Sequence, residues 1–160
     1  MVNTENSIEE KIKERIAAGN RAYYVHKKIF TSKLISRNIK LQIYITSIGP
    51  IVTYASETWI LTENVINKLT IFERRIMRKI YGPNRTDDGY CRIKINQEIN
   101  EKLKGQHINK FIKNQRLNWL GHVQRMAEDS NMQKINRWKT MSERPTGRPK
   151  TRWEDDFLKT

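Results

Sequence analysis

Apolar residues recur along this chain at helical rather than strand spacing. The clearest case is residues 63–81, where Val65, Leu69, Phe72, Ile76 and Ile80 step by 4, 3, 4 and 4 and form one stripe. Thr62 is placed to cap that helix and Glu63 suits its first turn. Arg78 and Lys79 suit its last turn, and Gly82-Pro83 stops it. Residues 7–17 set Ile8, Ile12 and Ile16 four apart with charges between, which predicts an amphipathic helix capped by Ser7. Two further helices are expected over 21–36 and 38–48, with a break near Ser36-Arg37-Asn38. The run 43–54 has strand-like β-branching, but Leu41, Tyr44 and Ile48 favour helix, kinked or restarted at Pro50. A polar loop (83–91), a short element (92–105) and a second strong helix (about 106–127) follow. Ile108, Ile112, Trp119, Val123 and Met126 mark the apolar face of that helix. A weaker helix over 130–141, a turn-rich connector over 142–149 and a short last helix over 152–159 complete an all-α reading.

Charge changes this picture more than composition does. Lys and Arg number 31 against 17 acids, for a net charge of +14. A surface this basic attracts polyanions, nucleic acid first and an anionic membrane second. The single cysteine, Cys91, excludes an internal disulfide and a cysteine-rich zinc site. No apolar signal core opens the chain and no stretch approaches a membrane span, so an intracellular protein, nuclear or cytoplasmic, is expected.

Catalytic chemistry is hard to assemble. Neither GxxxxGK[ST] nor GxGxxG occurs, and His26, His107 and His122 lie far apart in sequence. Two acidic pairs, Asp87-Asp88 and Asp155-Asp156, invite comparison with two-metal sites. The first reads better as a turn before Gly89, the second as the acidic first turn of a helix. No metal or cofactor is expected. The helix over 63–81 is more informative. Arg74 with Arg78, and Arg75 with Lys79, form two ladders one turn apart that could follow phosphates, or could be a solvated face. Arg116 and Arg125 are further cationic candidates on the 106–127 helix. Trp119 beside them reads as packed core, with a base-stacking platform as the alternative. Near the end, TGRPKTRWEDDF offers Arg148, Lys150 and Arg152 as phosphate contacts or a minor-groove hook, and Trp153 and Phe157 as packing residues.

Four stretches in order, YITSIGPIVTYASETWILT (44–62), LTIFERRIMRKIYGP (69–83), RLNWLGHVQRM (116–126) and GRPKTRWEDDF (147–157), resemble the C-terminal part of the reverse transcriptase of RTE-like non-LTR retrotransposons. Residues 20–44 also look like the segment that follows the palm there. The resemblance implies a helix leading from a missing palm (1–19), a helical thumb (20–83) and a smaller helical C-terminal extension (84–160). It further implies a non-catalytic piece, because the paired aspartates of the Tyr-Ala-Asp-Asp type motif and the endonuclease are absent from this sequence. A thumb holds an RNA–DNA or DNA duplex by its backbone, which points to the basic helix and, in the parent protein, to a palm as a second partner. Relatives often carry Gly where this chain has Ala55, and Arg where it has Thr146. If that Gly has positive φ, Ala strains the backbone; if the segment is helical, Ala suits it better.

Overall fold

The computed structural model describes residues 8–85, 89–103, 105–137 and 153. Helices α1 (Ile8–Val25), α2 (Lys27–Thr31), α3 (Arg37–Ile43), α4 (Gly49–Val52), α5 (Glu63–Tyr81), α6 (Asn96–Leu103), α7 (Ile108–Gln124) and α8 (Asn131–Arg137) make up the fold. The all-α expectation holds. Among the described residues the β-structure is a two-residue antiparallel ladder, Asn84–Arg85 with Cys91–Arg92, which closes the stretch expected as loop and takes in the first residue of the short element after it.

The centre is α5, whose bounds match the expectation. Thr62 Oγ1 accepts the Val65 N–H at 3.4 Å, and Gly82 ends the helix with φ 68°. All five stripe residues are buried, and Met77 joins them. Ile12, Phe30, Tyr44, Ile48 and Val52 from the elements before α5, and Ile99, Leu103, Ile108 and Ile112 from those after it, pack into the same core. One apolar core therefore runs across residue 83, the edge of the expected thumb.

One local expectation needs correction. The helix that begins at Ile8 does not stop near residue 17; it runs through Gly19 to Val25. Packing explains this. A Cβ at Gly19 would lie 2.4 Å from Val52 Cγ2 and 2.8 Å from Phe72 Cζ, so Gly19 lets α1 cross α4 and α5 closely. The expected 21–36 helix is accordingly divided into the end of α1, the short α2 and a non-helical stretch before the Ser36 cap of α3. The helix expected over 43–54, restarted at Pro50, holds as far as Val52: Tyr44–Ile48 is π-helical and leads into α4 at Gly49-Pro50. Proline cannot donate a backbone hydrogen bond, and widening the preceding turn accommodates it.

Beyond α4, Ala55 takes the left-handed conformation (φ 58°, ψ 26°) before a 3₁₀ turn at Ser56–Thr58. Trp59 and Leu61 then dive into the core. The Ser7 cap, Asp87-Asp88, the 142–149 connector and the 152–159 helix apart from Trp153 lie outside the described residues. No described helix is long and apolar enough to cross a membrane.

Candidate nucleic-acid interface

The basic ladders of α5 divide by neighbour. Arg74 and Arg78 face α6, which packs against this side. Arg78 Nη2 donates to Asn96 Oδ1 at 2.7 Å and its Nε donates to the Lys94 carbonyl at 3.1 Å. Arg74 Nη2 reaches Asn100 Oδ1 at 3.5 Å. These two guanidinium groups hold α6 in place and are half-buried. Arg75 and Lys79 are exposed and one turn apart, so the outward ladder is the one free to meet a ligand.

Salt bridging around α6 is local. Arg92 Nη2 meets Glu98 Oε1 at 2.7 Å, and Glu98 Oε2 accepts the Ile95 N–H at 2.9 Å, closing the first turn of the helix. The Arg92 hydrogen bond, then that of Ile95, holds the Glu98 carboxyl below its ordinary value.

Arg116 is placed differently from its role as a phosphate candidate. It is only 1% exposed. Its guanidinium carbon lies 5.2 Å from the Trp153 ring centroid, and Nη2 donates to the Trp153 carbonyl at 3.1 Å. Trp153 Nε1 in turn donates to the Glu57 carbonyl at 2.8 Å. Arg116 thus joins α7 to a C-terminal residue and the 3₁₀ turn, behind the surface. Arg125, the C-cap of α7, is exposed, and its Nη1 lies close over Gly121. Trp119 is half-buried beside His122. Arg148, Lys150 and Arg152 lie outside the described residues.

A buried polar site was missed by the sequence reading. Glu73 is 1% exposed on the core side of α5. Its Oε1 accepts the Ile108 N–H at 2.9 Å and the Tyr44 hydroxyl at 3.4 Å, and its Oε2 lies 3.5 Å from His107 Nδ1. Burial raises the Glu73 pKa; the Ile108 N–H and His107 partly oppose it. Burial, then the Glu73 charge, pushes the Tyr44 phenol well above its ordinary value. The signal was present: Leu69, Glu73 and Met77 form a four-step row that is otherwise apolar. The site borders a largely apolar cavity of about 460 Å³ lined by Tyr44, Ile45, Pro50, His107 and Phe111. No described group of three or more His, Cys, Asp or Glu side chains could hold a metal ion.

The comparisons bear on origin. The chain is 23% identical, over 99% of its length, to an uncharacterized transposon-derived protein of Caenorhabditis elegans. It spans 56% of that protein's length. No protein-family model matches the chain, and no solved structure matches it. Similarity to a transposon-derived protein agrees with the coarser part of the resemblance drawn from the four motifs.

Proposed function

We propose that this chain is a non-catalytic, retrotransposon-derived fragment of an RNA-directed DNA polymerase that binds nucleic-acid duplex inside the cell through its basic helices. The observation that carries this reading is the pair Arg75 and Lys79, exposed one turn apart on α5. Arg74 and Arg78 brace α6 beside them. The net charge of +14 supplies the long-range attraction. Contacts of this kind go to phosphates, so little sequence preference is expected.

The test is a titration of labelled RNA–DNA and DNA duplex across salt. Binding should weaken steeply with salt, and Arg75→Gln/Lys79→Gln should flatten the log–log slope by about 1.8, or ~0.9 per lost phosphate contact. Salt-independent binding, or none at low salt, sinks the reading. Primer extension with magnesium should give no product.

A second reading is favoured by the cavity beside Glu73. Ile45 and Phe111 border it and are themselves partly exposed, an apolar surface suited to a protein neighbour such as a polymerase palm. In that case light scattering would show self-association rising with concentration and indifferent to added duplex.

A further inference from the structure

The strongest unassigned surface lies within an acid-free part of the chain. Between Glu14 and Glu57 there is no Asp or Glu, but there are seven Lys and Arg. Two of the seven have structural uses. Arg15 lies over the Tyr54 ring at 4.4 Å, and buried Lys40 donates to the Ser32 carbonyl at 2.6 Å. The other five, Arg21, Lys27, Lys28, Lys33 and Arg37, are exposed, and none is in an ion pair among the described residues.

These cations flank an exposed aromatic ring in sequence. At the α1–α2 junction His26 (φ −88°, ψ 7°) interrupts the helix; its N–H still reaches the Ala22 carbonyl at 3.2 Å, and its carbonyl accepts the Phe30 N–H at 3.1 Å. Arg21 and Tyr24 lie three apart on α1, and Lys27 and Lys28 open α2 just beyond it. Tyr24 is 67% exposed. It is braced edge-on by Tyr23 (5.7 Å, 71°), which stacks on the buried Phe30 (5.3 Å, 20°). The following stretch is held by the Lys40 bond and by the Ser36 cap, and it presents Lys33 and a 97%-exposed Leu34 before Arg37 opens α3.

We infer that this corner, Tyr24 with Arg21, Lys27, Lys28, Lys33 and Arg37, binds single-stranded nucleic acid, with Tyr24 as a base-stacking platform. A braced, exposed ring among unpaired cations offers both things a single strand needs: a π-face for bases and positive charge for the backbone. A duplex hides its base faces and would use only the charges. The inference takes its class of partner from the nucleic-acid reading above but concerns a different surface from α5.

The full chain should be titrated with labelled oligo(dT), oligo(U) and a DNA duplex of equal length. Tyr24→Leu should weaken single-strand binding by about 10-fold, within the range of one lost stacked base, and Tyr24→Phe should restore it. Lys27→Gln/Lys28→Gln should flatten the single-strand salt slope by about 1.4, or ~0.7 per contact. Circular dichroism melts of each variant establish that it is folded. Arg75→Gln/Lys79→Gln should weaken duplex and leave single-strand binding in place. If that α5 variant loses nothing while Tyr24→Leu loses single strand, the duplex reading fails and this one stands. Folded Tyr24→Leu and Lys27→Gln/Lys28→Gln variants that bind single strand like the wild type overturn the inference. So does binding that requires phosphatidylserine vesicles and is absent with either oligonucleotide, which would assign the corner to a membrane surface.

Discussion

Glu73 on α5 accepts the first backbone N–H of α7, that of Ile108, at 2.9 Å. The helix with the outward Arg75–Lys79 ladder therefore also caps the next long helix, from its opposite face. Asn109 adds a second link, donating to Thr70 Oγ1 at 2.8 Å. Through these bonds the position of α7 depends on α5.

Removing that carboxylate should be costly. Glu73→Ala leaves the Ile108 N–H and the Tyr44 hydroxyl without their acceptor and should destabilise by about 2–4 kcal/mol in denaturant melts. Glu73→Gln keeps an acceptor and should stay within about 1 kcal/mol of the wild type at neutral pH. The pH dependence follows from the raised folded pKa. The folded state takes the proton more readily than the unfolded one, so ionisation of Glu73 costs stability above its folded pKa. That cost shrinks as pH falls through the raised value toward 4.5. Wild type should accordingly gain on Glu73→Gln as pH falls through this window. A difference that widens in the opposite direction would refute the assignment.

Ala55→Gly should stabilise the fold. Ala55 holds φ 58° and ψ 26°, a conformation that costs a residue with a Cβ about 1 kcal/mol relative to glycine. The gain should appear as a higher urea midpoint at unchanged slope. Of the two alternatives for this position, the structure selects the strained one: the 3₁₀ turn begins only after Ala55, and its carbonyl accepts the Thr58 hydroxyl at 3.0 Å.

Arg116 and Trp153 should behave as folding residues. Arg116→Ala removes a buried guanidinium and its contact with the Trp153 ring, and a loss of about 2–4 kcal/mol is expected. Trp153→Phe deletes the bond to the Glu57 carbonyl and should cost about 0.5–1.5 kcal/mol. Neither variant, while folded, should change the salt slope of duplex binding. A flattened slope with unchanged stability would return Arg116 to the phosphate-contacting set.

These outcomes divide along what a local pattern can encode. The α5 stripe was legible because apolar spacing, the Thr62 cap and the Gly82 stop all reflect neighbours in sequence. The continuation of α1 through Gly19 was not, because its cause is the approach of Val52 and Phe72 from other elements. The π turn escaped for a similar reason: Tyr44, Ile48 and Val52 keep a four-residue apolar step whether or not the turn widens. On the candidate interface, sequence identified the cations of α5 but not their division, since Asn96 and Asn100 arrive from α6. Arg116 follows Ile112 by four and so shares its inward row, but its partner Trp153 stands 37 positions away.

The bond between Trp153 and the Glu57 carbonyl joins positions 96 residues apart. It makes the message, as well as the protein, part of the folding problem. A stop codon or frameshift shortly before codon 153 would leave every described helix encoded, yet would remove the indole lying over Arg116. Truncation just upstream of that codon should be felt in the folding of α7 before any residue of the described helices is lost.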